Sequence, residues 1–155
     1  MSASCGYNRA VAIAGTYEPS PWQPVADQVE LYERTGGREG DKLQGKPCVI
    51  LWTKGRHSGT VRKTPLMRVR DGDRYAVVAS MGGAPKHPVW FLNLLADPHT
   101  SLQDGEELHD YTARVATGAE KATWWSKATA VWPDYDNYQA RTTREIPLVI
   151  LEPAP

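Results

Sequence analysis

Apolar and polar positions follow two rhythms along this chain, one of strands and one of helices. Residues 48–53, Cys48-Val49-Ile50-Leu51-Trp52-Thr53, form a continuous apolar run bounded by Pro47 and Gly55, which reads as a strand. Gly55-Arg56-His57-Ser58-Gly59 is a tight turn, and residues 60–70 read as a long strand. Pro65 implies an edge position or a bulge there, because proline has no N–H for the ladder. Asp71-Gly72-Asp73 is a hairpin turn into a third strand over residues 74–80, completing a meander. Residues 100–103 and 108–115 fit a further hairpin around Asp104-Gly105, and residues 146–151 form a last strand beside Pro147.

Helical spacing appears between these runs. Trp22, Val25, Val29 and Tyr32 fall on one face of a helix that stops before Thr35-Gly36-Gly37, and residues 38–45 are a polar loop. Pro88 suits the first turn of a second helix, on which Val89, Leu92 and Ala96 share a face with Trp90, Asn93 and Leu94 beside it. Asp97-Pro98 ends it. Thr117-x-x-Glu120 is a capping-box signature for a helix through about residue 132, broken by Pro133 and followed by a short turn or helix over residues 134–141. Six or so strands with helices as insertions predict a mainly β fold, a small β-barrel with peripheral helices. The 155 residues fit one domain over residues 21–155, preceded by a flexible segment over residues 1–20.

Composition narrows the classes. Hydrophobic residues make up 41% and charged residues 23%, an ordinary soluble balance, and no apolar run approaches the ~20 residues of a membrane helix. With no secretory signal, a cytoplasmic location is expected, and a weak contact at the inner face of the membrane is left open. Cys5 and Cys48 form no CxxC pair and are read as reduced thiols, with Cys48 buried in its strand. The four histidines lack HExxH spacing, so no metal site is expected.

Net charge is zero, with 18 basic and 18 acidic residues, but the distribution is uneven. Lys54, Arg56, Arg62, Lys63, Arg68 and Arg70 fall within one segment that contains no acid before Asp71. Such concentration in a neutral chain suggests a local anion ligand rather than long-range attraction to nucleic acid. Gly55 and Gly59 permit a turn whose amide N–H groups converge on an anion, Arg56 can fork onto a phosphate, and Ser58 adds a hydroxyl. Arg62 lies within reach, while Lys54, His57 and Lys63 widen the positive field. A solvated basic hairpin is the plainer alternative. Nucleic-acid binding would need aromatics interleaved with the basic residues, and they sit mostly in separate segments.

Two further segments carry candidate chemistry. After Ser80-Met81, Gly82-Gly83 let a planar ring approach the backbone, and Ser80 can hydrogen-bond a ring carbonyl or a substrate. Asn93, polar among Phe91, Leu92, Leu94 and Leu95, needs a partner if buried. Trp132, Tyr135 and Tyr138 suit the wall of a pocket for a flat substrate, with Tyr135 and Tyr138 partly exposed and Trp124 or Trp125 in the core.

From about residue 43 to 153 the chain resembles the deazaflavin-dependent nitroreductase and quinone reductase family of actinobacteria. The resemblance rests on Thr53-Lys54-Gly55-Arg56-His57-Ser58-Gly59 with Arg62, and on Ala79-Ser80-x-Gly82-Gly83 with Pro88-x-Trp90-x-x-Asn93-Leu94. Ala96-Asp97-Pro98, Tyr135-x-x-Tyr138-Gln139, and Ile146-Pro147 with Glu152-Pro153 complete it. It implies a split β-barrel of the flavin mononucleotide-binding, pyridoxine-phosphate-oxidase-like type, and coenzyme F420 (reduced 8-hydroxy-5-deazaflavin) as cofactor. The cofactor's phosphate and glutamyl tail would lie against Arg56, His57, Ser58 and Arg62, and its ring near Ala79, Ser80 and Asn93, with Lys54, Gly59, Pro65 and Met81 as further cofactor-binding residues. The electron acceptor, a quinone, nitroaromatic or unsaturated lactone such as a coumarin or aflatoxin, would meet Trp90, Trp132, Tyr135 and Tyr138. Tyr135, Tyr138 and Ser80 are the expected catalytic residues. The chain departs from the family at His57 and Met81, where lysine is common, and at Trp132, where one branch has tyrosine. A flavin mononucleotide oxidoreductase on the same barrel and a non-catalytic deazaflavin-binding module are the competing readings, and the sequence sets no oligomeric state.

Overall fold

The apolar run at residues 48–53 is apolar because it is covered on both faces. In the computed structural model, which describes residues 12–155, the run forms the middle of strand β2 (Lys46–Lys54). Val49 and Leu51 point into the main core, while Cys48 and Ile50 point the other way, against Val29 and Tyr32 of helix α1 (Gln23–Thr35). Alternate side chains of a strand face opposite sides, so a helix on one side and a barrel interior on the other bury every position of the run but Trp52, which is half-buried. Trp22, expected on the buried face of α1, instead precedes it and is 67% exposed. The polar loop after α1 contains a short strand, β1 (Lys42–Leu43), paired with the start of β2.

Strand β3 (Val61–Met67) pairs with β2 along its length, from Lys54 opposite Val61 to Cys48 opposite Met67. Here the expected long strand divides. β4 (Val69–Asp71) pairs with β5 (Arg74–Val78), and β5 pairs onward with β8 (Leu148–Pro153). The remaining hairpin, β6 (His99–Asp104) and β7 (Glu107–Val115), joins β2 to β8. The path is therefore β3-β2-β6-β7-β8-β5-β4, with β1 beside β2, and consecutive β3 and β4 lie at its two ends. The third strand of the predicted meander thus pairs with β4 and not with β3. The chain crosses at Arg68, whose N–H still bonds Pro47 carbonyl at 3.1 Å. Asp104 holds this crossing. Its Oδ2 accepts from Arg68 Nε at 2.8 Å and from the Tyr75 hydroxyl at 2.6 Å, with Arg70 at 3.7 Å.

Four α-helices surround the sheet among the described residues. α2 (Val89–Ala96) buries Trp90, Phe91, Asn93 and Leu94; of the Val89, Leu92 and Ala96 face, Val89 and Ala96 are exposed and Leu92 is half-buried against the main core. α3 (Gly118–Val131) and α4 (Asp134–Ala140) bring Trp124, Ala128 and Tyr135 onto the outer face of β5 and β8. The capping box of α3 does not form. Thr117 makes no side-chain cap, and Glu120 is instead forked by Arg114 at 2.6 and 2.7 Å, a stronger charge-assisted pair. Tyr135, expected partly exposed, is buried.

The expected flexible segment falls partly outside the described residues, at 1–11. Of the rest, Ile13 N–H bonds Ser101 Oγ, and Tyr17 forms a parallel bridge with Val61. No helix among the described residues is long and apolar enough to cross a membrane.

Ile150 is fully buried on β8 between β5 and β7. Truncation at such a site loses transfer energy and leaves a cavity. Ile150→Ala is expected to lower unfolding free energy by about 2–5 kcal/mol, read as an earlier urea midpoint at unchanged slope.

Candidate functional site

The β2–β3 turn is built for close backbone approach. Gly55 N–H donates to Thr60 carbonyl at 2.7 Å and Gly59 N–H to Gly55 carbonyl at 2.9 Å. A Cβ on Gly55 would sit 2.6 Å from Ser58 Oγ and displace that hydroxyl, and Gly59 has φ +72°, a conformation that calls for glycine. Asn93 fixes the turn from behind. It is buried on α2, donates from Nδ2 to Thr53 Oγ1 at 3.2 Å, and accepts Arg56 N–H on Oδ1 at 3.1 Å. Its need for partners is met within the chain, and it ties the helix to the turn.

The basic segment is less uncompensated than it reads. Arg62 meets Glu18 at 3.3 Å, Lys63 meets Glu33 at 2.6 Å, and Arg68 and Arg70 share Asp104. Lys63 also lies over the rings of Trp52 and Tyr17, at 4.0 and 4.4 Å from their centroids. These acids come from other elements, so the charge pattern of one segment does not show them. Lys54, Arg56 and His57 are left with no ion pair among the described residues. A cavity of about 200 Å³ opens over the turn, lined by Arg56, His57, Ser58, Arg62, Asn93 and Glu18. Lys54, at the end of β2, and Gly59, in the turn, do not line it.

A larger cavity of about 370 Å³ lies farther along β3. Of the residues expected to meet cofactor or acceptor, Pro65, Ser80, Met81, Trp90, Trp132, Tyr135 and Tyr138 line it. Ala79 does not, being fully buried in the main core. The two cavities share their scaffold. Arg62 and Pro65 stand on one strand, and Asn93 and Trp90 on one helix.

The larger cavity's polar groups are few. Trp132 Nε1 donates to the Tyr138 hydroxyl at 3.2 Å. The hydroxyls of Ser80 and Tyr135 have no hydrogen-bond partner among the described residues. The one buried side-chain polar atom without a partner there is Trp52 Nε1, so both hydroxyls keep access to the cavity or solvent. Burial pushes the Tyr135 phenol well above its ordinary range, and the neighbouring Tyr138 adds to this, so it stays a neutral donor.

Comparison with known proteins settles the family. Residues 25–153 match the family model described as F420H(2)-dependent quinone reductase. The chain belongs to that family. An F420H(2)-dependent quinone reductase of Mycobacterium tuberculosis is 37% identical over 125 residues, spanning 78% of this chain and 84% of the relative. The solved structure of an F420-H2 dependent reductase, FDR-A, is 47% identical, with a TM-score of 0.65 over 68% of this chain and 94% of that one. A pyridoxamine 5'-phosphate oxidase-like protein of Listeria innocua shares the fold at 11% identity, with a TM-score of 0.51 over 70% of this chain and 84% of that one. The architecture is thus the split barrel, the chain is an oxidoreductase, and coenzyme F420 is its cofactor. The donor set fits an anionic cofactor: Arg56 without an ion pair among the described residues, a turn whose positive φ at Gly59 suits glycine, and an adjoining, mainly apolar cavity.

In this member of the F420H(2)-dependent family, Arg144 is a residue that sequence reading misses. Its guanidinium donates to the carbonyls of Ala84, Ser80 and Ala79 at 2.8, 2.8 and 3.1 Å, and lies 3.0 Å from His87 Nδ1. Met81, Gly82 and Gly83 there have φ of +44°, +64° and +83°. A Cβ on Gly83 would meet Tyr138 carbonyl at 2.7 Å. Arg144 thus fastens the Ser80 loop to the segment that follows Tyr138. A lone arginine among polar residues gives no signal of this in sequence.

Because Arg144 only donates, His87 Nδ1 accepts, and the imidazole is neutral. Burial and then Arg144 hold His87 below its ordinary value of 6.5. The unfolded chain takes up this proton first, so the contribution is intact above about pH 6.5 and is lost as pH falls through the native value. Melting temperature is expected to fall between neutral pH and the mildly acidic range, and His87→Gln to flatten that part of the profile.

Proposed function

We propose that the chain carries a hydride from reduced coenzyme F420 to a small conjugated acceptor held in the larger cavity. Quinones are the first candidates, with nitroaromatics and unsaturated lactones of similar size in the same class. The observation that carries this is the pairing of Ser80 and Tyr135. Two hydroxyls without hydrogen-bond partners among the described residues line a mainly apolar cavity, an arrangement that can orient a flat molecule through a polar edge.

When bound, the deazaflavin supplies the two-electron chemistry. The residues of the chain bind, orient and exclude water. Arg56, His57, Ser58 and Arg62 hold the anionic end, with charge-assisted bonds from Arg56 contributing most. Asn93 keeps Arg56 N–H and the turn in place. Trp90 and Trp132 supply flat apolar walls, and Trp132 orients the Tyr138 hydroxyl. Tyr135, kept protonated by burial, donates to the acceptor oxygen on which negative charge develops, and Ser80 is the second donor.

Two measurements test this. Arg56→Ala is expected to raise the dissociation constant for coenzyme F420 by about tenfold or more in a fluorescence titration, the usual loss for bonds to a charged group. Unchanged affinity would remove Arg56 from the cradle. Tyr135→Phe is expected to lower kcat/KM for a small quinone by about three- to tenfold while cofactor affinity holds. A variant turning over at the wild-type rate would sink the role given to Tyr135.

A further inference from the structure

The smaller cavity already contains a carboxylate from the chain itself. Glu18 lines it, with Oε2 3.3 Å from Arg62 Nη1 and Oε1 accepting from the Thr60 hydroxyl at 2.8 Å. The second contact has a further effect. Thr60 has one hydroxyl hydrogen and gives it to Glu18, so the 2.6 Å contact between Ser58 Oγ and Thr60 Oγ1 is donated by Ser58. Ser58 Oγ also accepts Thr60 N–H at 3.2 Å. Glu18 therefore occupies two donors of the cradle: Arg62 directly, and Ser58 through Thr60.

We infer that Glu18 is a resident stand-in for the ligand's anionic end and must leave before Arg62 and Ser58 can bind it. This rests on the reading of the turn as the cofactor's anion cradle. It makes Glu18 the residue that sets how strongly the cradle discriminates by ligand charge. Departure of the side chain does not require departure of its backbone. Glu18 N–H bonds Val61 carbonyl at 2.9 Å, Val61 N–H bonds Thr16 carbonyl at 2.8 Å, and the preceding Tyr17 packs on Lys63. The side-chain pair is the weak part, being half-exposed on the Glu18 side, where such pairs contribute little. A rotation of Glu18 outward frees Arg62, lets Thr60 turn its hydrogen to Ser58, and releases the Ser58 hydrogen to the incoming anion.

The test is fluorescence titration of the full chain, wild type, Glu18→Gln and Glu18→Ala, with oxidised coenzyme F420 and with its chromophore fragment lacking phosphate and tail. Glu18→Gln removes the charge and keeps an acceptor for Thr60; Glu18→Ala frees both donors. Coenzyme F420 is expected to bind about two- to fivefold more tightly to the variants, most to Glu18→Ala. The gain should shrink as salt is raised, and the uncharged fragment should show none. Equal or weaker binding by both variants would overturn the inference and leave the cradle intact, assigning Glu18 instead to holding Arg62 in place. An equal gain for the charged and uncharged probes would overturn it too. Wild-type chain that binds coenzyme F420 no better than the fragment would remove the cradle itself, and the inference with it. Should Glu18→Ala fail to fold, Glu18→Gln carries the comparison.

Discussion

One carboxylate holds the place where this barrel closes. Asp104 stands at the end of β6 and receives Arg68 and Tyr75 on a single oxygen, with Arg70 close by. Arg68 is where the chain stops pairing with β2 and crosses to pair with β5, so Asp104 joins the two ends of the sheet through their side chains. A mostly buried carboxylate left without these partners would carry an uncompensated charge, so the contact is costly to break whatever its net contribution. The position of β3 depends on this closure, and both cavities are built on β3.

From that strand the site divides by chemistry. Its start faces cations and a glycine turn, and its end faces indoles and phenols. Helix α2 repeats the division, placing Asn93 behind the turn and Trp90 beside the apolar cavity. A long molecule with a charged end and a flat end fits such an arrangement. The electrostatics agree, because the paired basic residues have their acids supplied from α1, β6 and the segment before α1, leaving Arg56, His57 and Lys54 without ion pairs among the described residues.

What is legible in sequence is what is encoded locally. The turn can be read because glycine, arginine and serine occur together, and the strands because their apolar runs are bounded by proline and glycine. The break at Arg68 cannot, since the carboxylate that holds it lies 36 positions away along the chain. The capping box misleads for a related reason: Glu120 has a better partner in Arg114, on the preceding strand. Sequence puts Tyr135 too near the surface because α4 is polar, while its one buried side turns onto β8 and α3. Arg144 gives no signal, because its ligands are backbone carbonyls, which every residue has.

The walls of the larger cavity come from distant parts of the chain. Trp132, Tyr135 and Tyr138 all belong to one short stretch around α4, whereas the cradle belongs to the β2–β3 hairpin. Changes confined to that stretch can therefore reshape one wall of the larger cavity while leaving the hairpin turn and the smaller cavity as they are. On this fold the wall of one cavity can drift without disturbing the mouth of the other.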